Sequence, residues 1–260
     1  MTSWNAVSHS AIGTRHVAKN MPCQDYGGYQ VHDGIIYGAV SDGAGSAKHS
    51  DLGSKLAVEA WISNARKEFN DQFRLKESVS EINFQQLFQN ITQNVLEHLQ
   101  HEAEHKELPL KDLSCTLICF IASPQWIAAM QIGDGFIVLK PQEEENFKLL
   151  FQPDKGEYIN ETLFITSHGA LEEIQHTFQN VAPQFICAAT DGLEKVAIKF
   201  QDWTPHGPFF KPFQDCLHLI PEQEQRQAYI ETFLESDRLN AKTDDDKTML
   251  LCLAVHEGED

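Results

Sequence analysis

Hydrophobic and polar positions follow more than one period along this chain, and the switches of period divide it into elements. From Gly34 the run GIIYGAV is rich in β-branched and aromatic residues and stops at the polar SDG of Ser41 to Gly43, which predicts a strand ending in an acidic turn. The preceding YGGYQVHDG, Tyr26 to Gly34, reads as extended and closes a hairpin with that strand, so Asp25 returns beside the sheet end that carries Asp42. Behind Ser50, read as a helix cap, Leu52, Leu56, Val58, Ala60, Trp61 and Ala65 recur at mostly helical spacing. A second helix is predicted over about Asn83 to His105, with Phe84, Leu87, Phe88, Ile91, Val95 and Leu99 as its apolar stripe. After Pro109 the period shortens: CTLICFIA, WIAAMQI and FIVLK follow in quick succession across Ser-Pro and Gly-Asp-Gly turns and read as an antiparallel meander. Further strands are predicted at Phe147 to Phe151, after Glu161, at Gln184 to Ala189 and in the tail TMLLCLAVH. The proline-rich Trp203 to Pro221 reads as an irregular excursion, and Glu222 to Ser236 as a helix.

Two adjacent long helices with no strand between them favour an α+β sandwich over alternating βαβ units. No Pro/Gly/Ser-rich linker divides the 260 residues, so one domain over residues 1–260 is expected. No apolar run has the length of a membrane span, and the start MTSWNAVSHSAIG has neither a basic nor an apolar leader region. A soluble, cytoplasmic protein with no membrane partner is expected. The cysteines Cys23, Cys115, Cys119, Cys187, Cys216 and Cys252 are widely spread, and Cys115 and Cys119 fall in a β-like run, which reads as reduced, mostly buried thiols.

Four acidic islands each touch a predicted strand: SDG at Ser41 to Gly43, IGDG at Ile132 to Gly135, TDG at Thr190 to Gly192, and DDDKT at Asp244 to Thr248. Such an arrangement carries scattered carboxylates to one end of a sheet, where they can jointly hold hard divalent cations. The formal charge of −18, from 38 acidic and 20 basic residues, argues against nucleic acid as a partner. It leaves a phosphorylated substrate open, because bound dications invert the local field. GxGxxG, Walker and HExxH patterns are absent, as is the arginine/cysteine signature of thiol phosphatases. His98, His101 and His105 lie near helical spacing but among glutamates and Lys106, and read as a solvated face.

Taken in order, GTRHVAKNMPCQD at Gly13 to Asp25, AVSDGAGS at Ala39 to Ser46, SCTLICF at Ser114 to Phe120, IGDGFIVL at Ile132 to Leu139, AATDGL at Ala188 to Leu193 and DDDKTMLL at Asp244 to Leu251 resemble a metal-dependent serine/threonine protein phosphatase of the PP2C family, in a divergent bacterial-type branch. The resemblance spans nearly the whole chain. It implies a four-layer α-β-β-α sandwich with two central antiparallel sheets flanked by helices, a variable flap-like excursion at about 200–221, and a centre of two Mn²⁺ or Mg²⁺ ions. In that family pattern Asp42 matches the bridging carboxylate, the carbonyl of Gly43 a ligand to one metal, and Asp191 and Asp245 the carboxylates of the other. Asp134 matches an aspartate that helps hold a third, weaker metal; an ordinary Asp-Gly hairpin is the alternative.

The first motif departs from the family, which has an acidic pair where this chain has Gln24-Asp25. Asp25 matches the second carboxylate and is expected to orient the attacking water. Gln24 stands at a metal-contacting position with a neutral amide oxygen, so weaker affinity for that metal is expected. Arg15 is a candidate phosphate clamp at longer than the usual spacing, and His16 a phosphate donor or leaving-group acid. His49 is a weaker candidate at the same rim. The implied activity is hydrolysis of phosphoserine and phosphothreonine in proteins, with a phosphoprotein substrate and a cognate serine/threonine kinase as partners. A catalytically silent phosphoprotein-binding module and a small-molecule phosphomonoesterase are the alternatives. The aromatic residues Trp203, Phe209, Phe210 and Phe213 face either the substrate or, the preferred reading, the body of the protein.

Overall fold

The computed structural model describes residues 2–73, 78–151 and 162–256. In chain order the elements are β1 (Thr2–Ala11), α1 (Thr14–Ala18), β2 (Tyr26–His32), β3 (Ile35–Ser41), α2 (Ser50–Phe73), α3 (Phe84–His105), β4 (Leu117–Ala122), β5 (Ile127–Ile132) and β6 (Phe136–Pro141). They continue with β7 (Lys148–Leu149), β8 (Gln175–Gln179), β9 (Pro183–Ala189), α4 (Glu194–Ala197), β10 (Ile198–Lys199), β11 (Thr204–Pro205), α5 (Gly207–Leu219), α6 (Gln223–Leu234), α7 (Asp237–Asn240) and β12 (Lys247–His256).

Two five-stranded sheets, ordered β1-β12-β9-β6-β7 and β2-β3-β4-β5-β8, are antiparallel throughout. Alternate residues of the central strands point to opposite faces, and both faces are covered, which is why these strands read as continuous apolar runs. Ile36, Val40, Ile118, Phe120, Ile186 and Leu250 meet between the sheets. Tyr37, Ala39, Cys119 and Met130, on the other face of their sheet, pack under α2 and α3 through Trp61, Phe88 and Leu99. Val138, Cys187 and Leu251 pack likewise under α5 and α6 through Phe210, Phe213 and Ile230. The architecture is thus helices, sheet, sheet, helices. Among the described residues no helix is long and apolar enough to cross a membrane.

The hairpin of β2 and β3 turns at Asp33 and Gly34, with φ of 51° and 76°, and its register sets Tyr26 opposite Ser41. A two-residue turn with both φ positive matches the strand twist, and it returns Asp25 to the end of the strand that leads into Asp42. The second helix keeps its expected bounds, with Asn83 Oδ1 accepting from Gln86 N at 3.1 Å as its cap.

Several expectations are corrected. The expected meander breaks after β5: β4 and β5 pair, but β6 leaves for the other sheet and pairs with β9 and β7. Gly133, at φ 100°, turns the chain where a Cβ would lie 2.5 Å from Thr116 Cγ2, so Asp134 sits in a sheet-to-sheet crossover and not at a hairpin tip. Ser50 is already helical, and His49 precedes it with its carbonyl accepting from Gly53 N at 3.0 Å. The expected irregular stretch at 203–221 contains α5, a 13-residue helix that tolerates Pro208 in its first turn and carries the exposed Pro212 inside it. Its Phe210 and Phe213 are buried and its Phe209 packs against them, the body-facing reading. Residues 162–174 form turns, and the strand expected after Glu161 begins only at Gln175. Of Phe147 to Phe151 only Lys148–Leu149 is strand. β1 was not legible at all, and it pairs with β12 along ten residue positions.

Candidate metal centre

Antiparallel order brings strand ends from both sheets to one edge. There β3 delivers Asp42, β5 delivers Asp134, β9 delivers Asp191, and β2 and β12 begin just after Asp25 and Asp246. The main chain of Asp42 is fixed by Thr116, whose Oγ1 accepts from Asp42 N at 2.9 Å and whose N donates to Asp42 O at 2.8 Å. Ser41 Oγ donates to Thr116 O at 2.5 Å, and Gly43 bridges to Cys115, so SCT and SDG hold one another. Oxygens of Asp42, Asp134 and Asp191 all lie within 4.8 Å of one another.

Gathering carboxylates in a partly dehydrated cleft favours their protonated forms. Burial, then the neighbouring Asp25 and Asp191, push Asp42 up to about 11. Asp191 rises to about 7 through burial and the charges of Asp134, Asp245 and Asp25. Asp25, buried, is pushed up to about 7 by desolvation, moderated by hydrogen bonds from Asp42 and Thr190, whose Oγ1 donates to Asp25 Oδ2 at 2.6 Å. Asp42 and Asp25 therefore resist being ionised together. Such a cluster is unfavourable for the fold by itself and suited to cations that displace those protons.

Asp245 lies outside the three-carboxylate group. Its Oδ1 receives Arg15 Nη2 at 2.6 Å, with both side chains about half-exposed, while its charge still raises Asp191. Gly43 is at the same edge, with its N donating to Gln24 O at 3.1 Å; a Cβ there would come within 2.7 Å of Gln24 O and Ser50 Cβ. Gln24 is buried, and its Oε1 has no hydrogen-bond partner among the described residues. An orphaned buried amide oxygen is the donor a hard cation accepts.

Asp246, passed over in the sequence, organises the approach to this edge. Its Oδ1 accepts from Gly13 N at 2.6 Å, and its Oδ2 accepts from Gln24 N at 2.5 Å and meets His16 Nδ1 at 2.8 Å. His16 is thereby held in a buried contact at 5% exposure, outside the carboxylate group, and the segment from Gly13 to Asp25 is pinned at both ends. Lys247, fully buried, ties Ile12 O, Asn240 Oδ1 and Asp245 O together at 3.3, 3.0 and 3.3 Å. Gly192 lets Asp246 O approach where a Cβ would overlap it. His49 serves α2 through its backbone and is not among the clustered groups. A separate grouping joins His9 of β1 to Glu231 and Glu235 at the C-terminal end of α6. There Gln227 Nε2 donates to Ser8 O and faces His9 Nδ1, both at 3.2 Å, while His9 Nε2 lies 3.8 Å from Glu235 Oε1.

Residues 12–235 match the family model described as Protein phosphatase 2C. The chain belongs to the protein phosphatase 2C family of metal-dependent serine/threonine phosphatases. It is 33% identical over 265 residues to serine/threonine-protein phosphatase 3 of Escherichia coli (strain K12), covering 96% of this chain and 98% of that protein. Its fold is similar to that of a serine/threonine phosphatase of S. agalactiae, at TM-score 0.62 and 13% identity over 96% of this chain and 99% of the other. A serine/threonine phosphatase of Staphylococcus aureus matches at TM-score 0.59 and 13% identity, over 98% and 96% of the two chains. The phosphatase 2C chain thus shares with those structures the paired-sheet sandwich.

Proposed function

We propose that this phosphatase 2C chain hydrolyses phosphoserine and phosphothreonine in proteins with a water activated between two divalent cations. The convergence of Asp42, Asp134 and Asp191 within 4.8 Å at the shared edge of both sheets carries this reading. An all-oxygen donor set suits Mn²⁺ or Mg²⁺. In this reading Asp42, the Gly43 carbonyl, Asp191, Asp245 and Gln24 would hold the two ions, and Asp134 a third, weaker one. When bound, the ions would supply a nucleophilic water at neutral pH and offset the charge of the phosphoryl oxygens.

The chain's own residues have the remaining roles. Asp25, oriented by Thr190, accepts the proton of the attacking water and holds its lone pair toward phosphorus. Arg15, anchored on Asp245 through one nitrogen, keeps further donors of its planar fork for the phosphate oxygens. His16 has Nδ1 committed to Asp246, which leaves Nε2 to protonate the departing oxygen. A cytoplasmic phosphoprotein, phosphorylated by a cognate serine/threonine kinase, is the substrate this reading expects.

The test is Mn²⁺-dependent release of phosphate from phosphoserine and phosphothreonine peptides, with Asp42→Ala as the control. Loss of turnover with the fold retained supports the reading, and near-normal activity in purified Asp42→Ala sinks it. Faster turnover of simple phosphate esters than of any phosphopeptide would assign a small-molecule phosphomonoesterase. For His16→Ala, a loss concentrated on poor leaving groups supports the acid role; equal loss on aryl phosphates and phosphoserine assigns His16 to positioning.

A further inference from the structure

A groove of ≈ 1010 Å³ opens between α5, α6 and α7, and Asp25, Asp42, Asp134 and Asp191 do not line it. Phe209, Phe213, Tyr229 and Phe233 form its apolar wall, in edge-to-face contact at 5.3 Å for Phe209 with Phe213 and 4.8 Å for Phe213 with Phe233. Tyr229 remains 41% exposed and Phe209 and Phe233 are partly buried, while Phe213 belongs to the core beneath them. Arg238, on α7, and Lys242, just after it, also line the groove. Both are exposed, and among the described residues neither side chain has an ion pair or a hydrogen bond. Among the described residues no aspartate or glutamate lines the groove, although the chain has 38 acidic residues against 20 basic ones.

Two unpaired cations beside an aromatic wall are unusual on so acidic a surface. Low-dielectric walls strengthen their local positive field, and the volume is at the upper end of those that hold small ligands, about 300–1,000 Å³. We propose that this groove binds a small amphipathic anion: a flat apolar body packed on Tyr229, Phe209 and Phe233, and a single carboxylate or sulfonate head held by Arg238 and Lys242. The guanidinium fork of Arg238 suits a planar two-oxygen head, and Lys242 adds a point charge. The inference is independent of the hydrolytic reading, because no group of the metal centre takes part.

The experiment uses two fluorescent probes with the same ring skeleton, 8-anilinonaphthalene-1-sulfonate and the neutral N-phenyl-1-naphthylamine, titrated into the full chain with and without Mn²⁺. One-to-one binding is expected, at least about tenfold tighter for the anion. Arg238→Glu/Lys242→Glu should erase that preference while leaving the neutral probe unchanged. Ala228→Trp, an exposed position in the groove wall, should block both probes. Thermal melts and far-ultraviolet dichroism confirm that each variant is folded, and Arg238→Gln/Lys242→Gln replaces the reversal should it unfold. Equal affinity for the two probes, anion binding that survives charge reversal, binding that survives Ala228→Trp, or no binding at all would each overturn the proposal.

Discussion

Asp246→Asn isolates the carboxylate that pins the segment from Gly13 to Asp25. Asp246 receives Gly13 N and Gln24 N on different oxygens, at 2.6 and 2.5 Å, and His16 Nδ1 at 2.8 Å. An amide replaces one of those oxygens by an NH₂ group, so whichever way it is turned one buried backbone N–H faces another donor. Hydrogen bonds to a charged acceptor contribute about 1.5–3 kcal/mol, and a buried donor left unsatisfied costs about 1–3 kcal/mol. Because these overlap, a destabilisation of about 2–4 kcal/mol is expected, a large part of a total near 5–15 kcal/mol. At about 2–4 °C per kcal/mol for a chain of this size, Tm should fall by about 4–16 °C. Asp246→Ala would strand all three donors and endanger the fold, which is why asparagine is the informative change. Thermal and urea unfolding in chelator keep metal binding out of the comparison. The exposed neighbour Asp244→Asn is the control and should stay within about 0.5 kcal/mol. A cycle with His16→Ala should show coupling of about 0.5–3 kcal/mol, as expected of direct partners. If Asp246→Asn is no more destabilising than Asp244→Asn, the pinning role is refuted.

Burial holds Asp25 and Asp191 at about 7, above an ordinary carboxylate, so between about pH 4 and 7 the folded chain binds more protons than the unfolded one. Their contribution is present at low pH and lost as pH rises through about 7, so the metal-free Tm should fall from about pH 5.5 to 8, and Mn²⁺ should raise Tm most at the upper end; a metal-free Tm that climbs over this range contradicts the cluster electrostatics. Gln24→Glu should tighten Mn²⁺ binding by calorimetry while lowering the metal-free Tm, because it buries a further charge beside Asp25 and Asp42; unchanged affinity would place Gln24 away from the ions. Gly38→Ala puts a Cβ 2.4 Å from Phe120 Cζ and 2.6 Å from Leu250 Cδ2 between the sheets, and should cost about 1–3 kcal/mol with Mn²⁺ affinity unchanged. A neutral Tm there would mean that the intersheet layer yields more than close packing allows.

What could be read from the sequence and what could not separates along physical lines. The two long helices were legible because their apolar stripes face one sheet, and the acidic islands were legible because each interrupts an apolar strand. β1 was hidden by composition: its Ser8 faces Gly27, where the added Cβ would lie 2.7 Å from Ser8 Oγ, so the close approach of two strands calls for small residues and removes the apolar alternation. The crossover after β5 was hidden because Gly-Asp-Gly serves a hairpin and a change of sheet equally well; only the identity of the next partner, β9 and not β5, distinguishes them. The three aspartates before β12 show the same limit at the site itself. Asp244, Asp245 and Asp246 are chemically identical, and local sequence assigns none of them a duty. Asp245 turns to Arg15, while Asp246 turns inward to Gly13 and Gln24, which lie 233 and 222 positions away in the chain. The missing Cβ of Gly192 admits the Asp246 carbonyl, and buried Lys247 fixes Asp245 O from below. The division of labour among the three carboxylates is therefore a property of the closed sandwich, decided by contacts that form only when both termini have joined the same sheet.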